Sequence, residues 1–541
     1  MKTSTKILIG LGTFLLLILL TFGGLFVYWK YFLKPTPKKV LGEIEELKAA
    51  VMEPLNIYPK PFEETGEIVT AGLNSNIFES LVTLDNDFKL KPVLAESWSS
   101  PDEKTWRIYL KKNVKFHNGD EFSAEDVKAT FDTSKKDKWI SFQNPELINE
   151  IKVIDKHTVD LITKEPNPIL LNKLTMNFIL PKKLVESNDL EKHIGTGPFK
   201  LVSYEQNKEM VMERNENYWG EKPKVKKINS RFYFDEEKAL EWFSKGEIDL
   251  IDALKPSEGS TALSKKAGIR SVPFDDYYVY DMIINLAPEN SPYVEGGGNP
   301  FKDKRVREAI YRGINVEALI KESEYGLGKA QTQTIPKVTF GYNPNIKRLA
   351  YGPEKAKGLL KEAGYPNGFT FTLDIAPSRK STGEAIAGQL KEIGITMKVK
   401  AMEDVAVGMD TMYKGDFSMF IIGEGSESGD ASDVLDALAH SQGQDNFGKY
   451  SNPEVDALLE NAQKTSDQTK RRKYLEEALE KFSNDMAVIP LFTNTFTYYT
   501  RDNIDLIWDR TGAMKGANIA GIKEEWEKPN FIQFIKNLIR I

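Results

Sequence analysis

Between Ile7 and Trp29 the chain carries no charged residue. At about 1.5 Å per residue, a helix of that length spans roughly 35 Å, more than the roughly 30 Å hydrocarbon core of a bilayer. Such a segment has to be buried on every side or sit in lipid. A cleavable leader has a shorter apolar run closed by a small-x-small site. This run closes instead on Phe26-Val27-Tyr28-Trp29, bulky and aromatic, as at a membrane interface. One uncleaved transmembrane helix is therefore predicted within residues 1–33. Lys2 and Lys6 precede it, whereas Lys30, Lys34, Lys38 and Lys39 follow it. The positive-inside rule alone would put the large C-terminal part in the cytoplasm.

A stiff, charged linker is expected over residues 34–44, around Lys34-Pro35-Thr36-Pro37-Lys38-Lys39. The whole chain of 541 residues is too long for a single core and calls for two or three domains. Its net charge of −6 is spread out, with no basic block beyond the N-terminus. A nucleic-acid surface needs clustered Lys and Arg, so no such partner is expected. There is no cysteine, which excludes disulfides, Cys-ligated zinc, thiol nucleophiles and lipid attachment at an N-terminal cysteine.

The rest reads as a mixed α/β chain without repeats. Trp106, Ile108 and Leu110 alternate with polar residues, Val114 and Phe116 repeat the pattern, and His117-Asn118-Gly119-Asp120 makes a turn. Ser123 to Asp126 looks like a capping box opening a helix through Phe131. Further helices are predicted at Arg305 to Arg312, Pro353 to Ala363, Glu384 to Ile393, Pro453 to Ala462 and Thr469 to Phe482. Strands are predicted around Ile395 to Val399, Phe417 to Ile422 and Ala487 to Phe492. This alternation indicates α/β domains with mixed sheets.

Several segments, in order, resemble the family 5 extracellular solute-binding proteins, the dipeptide, oligopeptide and nickel receptors of ABC importers. They are Asn76 to Val82, Leu90 to Trp98, Val114 to Asp120, Ser123 to Val127, Gly195 to Leu201, Arg214 to Trp219, Asp303 to Ile310 and Lys361 to Pro366. Most have a plain structural reading. Gly195 and Gly197 lack the Gly-Lys-Ser/Thr of a phosphate loop and suit a tight turn; Arg305 and Arg307 suit pairs or caps within the fold.

The resemblance implies a two-lobed, periplasmic-binding-protein-like fold with an extra subdomain. The first lobe would cover 45–285 with an insertion at about 83–185, the second 286–490. Residues 491–541 would return to the first lobe and end in an amphipathic helix from Pro529 to Ile541. It also implies a large domain outside the membrane, acting as a monomer, that takes no cofactor and delivers a short peptide or similar polar solute to a permease and its ATPase subunits.

The same resemblance points to the loop after Ile422. Asp430 falls where peptide-binding relatives place an aspartate that receives the peptide's amino group, and Asp433 on the acid just after it. The flanking Trp and Tyr of those relatives are absent, with Ala431 in the tyrosine's place, so a loop or helix-cap role for both aspartates stays open. Tyr278, Tyr280 and Asn285 on the first crossing between lobes, and Phe492 and Asn494 on the second, are candidate cleft-wall residues. His440 and Asp436, four apart, make a weak metal pair and suit a surface contact better. No nucleophile motif, zinc motif, Walker loop or dinucleotide fingerprint occurs, so no enzyme is expected. A two-carboxylate glycosidase stays open on composition alone. A sensor or scaffold on the same fold, or a receptor for a sugar or metal chelate, is the alternative.

Overall fold

The computed structural model describes residues 37–52, 72–137, 145–189, 192–287, 289–403, 405–507 and 514–526. The apolar run Ile7–Trp29 and the tail 529–541 lie outside them. Among the described residues, no helix is long and apolar enough to cross a membrane.

Two long strands organise the molecule. Ile269–Ile284 and Val488–Arg501 pair antiparallel from Ile269↔Arg501 to Ile283↔Val488, with register shifts between Asp275 and Val279 and between Tyr280 and Asp281. On one side of the irregularity Val488–Arg501 takes Leu250–Leu254 as its other neighbour; on the other, Ile269–Ile284 takes Met419–Gly425. The two lobes are thus built on opposite ends of one ribbon. The first lobe's half of the sheet continues through Leu47–Met52, Lys227–Tyr233, Glu209–Arg214 and Phe199–Glu205; the second lobe's half continues through Thr370–Ile375 and Thr396–Ala401.

A separate four-stranded sheet, Ala95–Asp102, Thr105–Leu110, Thr158–Thr163 and Ile148–Asp155, belongs to the insertion. Its helix Ala124–Lys136 starts where the sequence predicts: Asp126 accepts from both the backbone N–H and the hydroxyl of Ser123. The insertion is no independent unit, because Ile108, Phe131 and Leu161 share one continuous core with Leu47, Phe199 and Met210 of the first lobe.

The family-like segments turn out to be joints of this scaffold. Asn76 donates to Met514 O and accepts from Gly516 N, tying the start of the first lobe to the returning C-terminal segment. The buried Glu79 accepts from Tyr218 Oη at 2.7 Å and Trp219 Nε1 at 2.8 Å. Gly195 and Gly197 pass so close to Ile77 that a Cβ at Gly195 would lie 2.1 Å from its carbonyl oxygen, which explains the two glycines without any phosphate. His117 Nδ1 accepts from Gly195 N and its Nε2 faces Gly197 O at 3.0 Å; burial holds the ring neutral, its pKa pressed down to about 4.

In the second lobe, helix Lys304–Gly313 is capped by Asp303 and buries Val306, Ala309 and Ile310 completely. Full burial of an aliphatic side chain such as valine or isoleucine is worth roughly 1.5–3 kcal/mol. Arg305 pairs with Asp303, and Arg307 donates to Asp485 O at the end of helix Gln468–Asp485. Both act within the fold, as expected. The predicted linker differs: Pro37–Gly42 is a strand, antiparallel to Ile519–Trp526 with Pro37 opposite Trp526. An edge strand tolerates proline as its first residue, because a missing N–H costs nothing there.

Candidate functional site

The strand Met419–Gly425 is buried through Ile421 and opens toward solvent over its last four residues. A loop, a short helical turn at Ser432–Val434 and a wider turn at Leu435–Ala439 follow it. Opposite stands the insertion, with the helical turn Leu170–Lys173 and then Thr175 and Met176. Helix Pro453–Lys464 contributes Glu460, Gln463 and Lys464. Together they enclose a cavity of about 1070 Å³.

Contacts across the two walls are already formed. Asn172 Nδ2 donates to Ser428 O at 2.9 Å, and Lys173 Nζ lies 3.9 Å from Asp433 Oδ1. Gly429, at φ +72°, sits against Phe88 of the first lobe, where a Cβ would come within 2.4 Å of the Phe88 Cβ. Only glycine meets both demands there. Gly425 likewise leaves room for the ring of Tyr278, whose hydroxyl donates to Glu427 Oε1 at 3.0 Å.

The residues singled out from sequence divide sharply. Asp433 and Tyr278 line the cavity. Asp430 does not, and its carboxylate is already committed. Arg471 donates to both its oxygens, one contact at 2.8 Å, and Ser432 donates through N at 3.0 Å and Oγ at 2.8 Å. Both partners are almost wholly buried, with side chains 1% and 4% exposed. A ligand ammonium has no place at a carboxylate filled from within, so the amine-receiving role assigned to Asp430 is replaced by a structural one. The Tyr280 ring packs tilted against Phe492, and the Arg379 guanidinium lies over it, 3.8 Å from the ring centre. Asn494 faces the same guanidinium at 3.4 Å, and Asn285 donates to Gly415 O and Phe417 O. These four are packing and hinge residues, not cavity wall. His440 and Asp436 both line the cavity, but the histidine faces Glu460 at 3.8 Å. Among the described residues no group of three side chains is placed to hold a metal.

Sequence reasoning reached Asp433 and Asp436 but missed the other acids of the wall, Glu424, Glu427, Asp445 and Glu460. Glu424 lies between Gly423 and Gly425 at the open end of the strand Met419–Gly425, a spacing that could have marked a carboxylate left uncovered. Burial, and then the nearby Asp445 and Asp281, push its pKa up to about 8. Burial pushes Asp433 up to about 6 against the pull of Lys173, and raises Asp436 and Asp445 as well.

The model of the bacterial extracellular solute-binding proteins, family 5 (middle), matches residues 89–446. The glutathione-binding protein GsiB of Salmonella choleraesuis is 28% identical over 465 residues, covering 82% of this chain and 88% of its own. Among solved structures, the ABC transporter substrate-binding protein CtaP of Listeria monocytogenes superposes with a TM-score of 0.77 at 21% identity, over 88% of this chain and 99% of that one. The periplasmic binding protein DppA of Helicobacter pylori, in complex with the peptide STSA, gives a TM-score of 0.70 at 24% identity, over 89% and 99%. A family model that runs from the insertion through the first ribbon strand to the cavity loop leaves one assignment: the chain belongs to the bacterial extracellular solute-binding proteins of family 5.

Proposed function

We propose that the chain captures a short peptide, or a polar solute of similar size, in the cavity between its lobes and delivers it to the permease of an ABC importer. The observation that carries this reading is the cavity of about 1070 Å³ walled by both lobes, with closing contacts at Asn172–Ser428 and Phe88–Gly429. A solute bound there stabilises the closed arrangement by its contacts to both walls. The DppA complex with STSA and the glutathione-binding GsiB, both peptide-sized cases, support the ligand class. The family is one of receptors, not of enzymes. Thermal-shift measurements on the full chain in detergent, against tri- and tetrapeptides, sugars and metal–histidine complexes, test it. A ligand at a hundred times its Kd adds about 2.7 kcal/mol of stability, so the right peptide raises the melting temperature clearly. A response to sugars or chelates alone would sink the peptide reading.

The receptor acts as a monomer, tethered outside the membrane by Ile7–Trp29 as a single uncleaved helix. Support comes from the run's length and aromatic end, and from the extracellular character of the family. The first described strand, Pro37–Gly42, follows the run after only a few residues of sequence. The lysine balance argues the other way. Proteolysis of intact cells decides: protection of the large domain until the membrane is broken refutes the outward orientation.

A further inference from the structure

On the reading that this cavity holds a peptide, its charge restricts which peptide. Glu424, Glu427, Asp433, Asp436, Asp445 and Glu460 face it, against only two lysines. Both lysines already have partners, Lys173 3.9 Å from Asp433 and Lys464 3.9 Å from Glu460. Glu427 is held by the Tyr278 hydroxyl. Glu424, Asp436 and Asp445 therefore have no ion pair among the described residues, and Asp436 Oδ1 is buried with no hydrogen-bond partner. Carboxylates withdrawn from water and set near one another repel and lose hydration, a cost that a cation between them relieves. Burial and mutual repulsion do raise the pKa of Glu424, with burial the larger cause. Neutral polar side chains such as Asn172, Gln442 and Gln463 also line the wall, but its apolar surface is small: Tyr278, Met176 and Ala437 among the described residues.

We propose that the peptide taken here is cationic, bringing at least two positive groups, its amino terminus and a Lys or Arg side chain, to Glu424, Asp445 and Asp436. The volume accommodates a solute with two separated charges, and the acids come from different elements: Glu424 from the end of a strand, Asp436 from the turn Leu435–Ala439 and Asp445 from the loop beyond.

The test is isothermal titration of the full chain in detergent with Lys-Ala-Lys, Ala-Ala-Ala, Glu-Ala-Glu and spermidine, at about 50 and about 300 mM salt. Lys-Ala-Lys is expected to bind at least about 30-fold more tightly than Ala-Ala-Ala, the loss typical of leaving a buried charge unpaired. That advantage shrinks at high salt, and Glu-Ala-Glu gives no heat. Glu424→Gln lowers the Lys-Ala-Lys affinity about tenfold while changing that for Ala-Ala-Ala little, and Asp445→Asn behaves alike. Equal affinity for Lys-Ala-Lys and Ala-Ala-Ala overturns the charge inference and leaves the peptide reading standing. Binding of spermidine with every tripeptide silent overturns the peptide reading and leaves the charge selection. Silence from all four overturns both.

Discussion

Removing the Asp430 carboxylate separates two roles that its position in the sequence could support. In the fold it neutralises Arg471, whose guanidinium is 1% exposed and donates to Asp430 and Ser432. Asp430→Ala leaves that guanidinium charged and enclosed. Breaking a buried pair from one side costs about 3–5 kcal/mol. A folding unit of roughly 150–250 residues, the size of the second lobe, loses 2–4 °C for each kcal/mol. The lobe's transition should therefore fall by roughly 10 °C in scanning calorimetry. Arg471→Met in the Asp430→Ala background removes the orphaned charge and recovers most of the loss, giving a double-mutant coupling of the same few kcal/mol. Below its transition, Asp430→Ala should keep its affinity for Lys-Ala-Lys within about threefold, because no cavity group is lost. An amine receiver behaves in the opposite way, with unchanged melting and affinity down by about 30-fold. That pattern would refute the structural role.

Three further outcomes are open to measurement. Asp252 is fully buried and burial pushes its pKa up to about 8, so the stability it contributes is complete below about pH 4 and is lost as pH rises toward 8. Asp252→Asn should therefore raise the unfolding free energy by more at pH 8 than at pH 5, by an amount on the order of a few kcal/mol in denaturant titrations; equal gains at the two pH values contradict it. Gly429→Ala pushes a methyl into Phe88 only while the lobes are closed, so small-angle scattering should show a larger radius of gyration and Lys-Ala-Lys affinity should fall about tenfold. An unchanged radius and affinity speak against closure at this contact. Deleting 529–541, the amphipathic tail that follows the strand ending opposite Pro37, should weaken attachment to anionic vesicles if the tail lies on the membrane beside the anchor. Loss of melting temperature with unchanged vesicle binding would assign it to its own domain instead.

Helices with a full apolar stripe and a cap were readable because local signals agreed. Asp303 before Val306, Ala309 and Ile310, and Pro353 in the first turn of its helix, are cases. Strand lengths were not. The predicted strand runs from Ala487 to Phe492, yet the strand continues to Arg501, because Thr495 and Thr497 are held by pairing with Asp275 and Pro273 of the other long strand. Partners more than two hundred residues away leave no local mark. The linker failed for a related reason: Pro37 and two lysines look like a spacer until Ile519–Trp526 is known to lie alongside. Most acids of the cavity sit between a strand's end at 424 and the loop at 445, in short turns and loops too brief for helical or strand periodicity to say which way a side chain faces. Only Glu424, flanked by glycines at a strand's end, carried a hint.

The misassignment of Asp430 is more instructive, because the information against it was present. Helix Gln468–Asp485 buries Leu475, Ala478, Leu479 and Phe482, a stripe at helical spacing. Extending that stripe back by one turn lands on Arg471, in the middle of Lys470-Arg471-Arg472, a run that otherwise reads as solvated charge. A cation on the apolar face of a helix has to meet a carboxylate inside the fold, because an unpaired buried guanidinium costs more than the helix can recover. Asp430, preceded by a glycine in a loop that leaves a buried strand, takes Ser432 N and Oγ locally and meets Arg471 with both its oxygens. The two anomalies answer each other. A buried acid near a cleft should be offered to a ligand only after the chain's own misplaced cations have been matched; here that leaves Glu424, Asp436 and Asp445 for the solute and Asp430 for the fold.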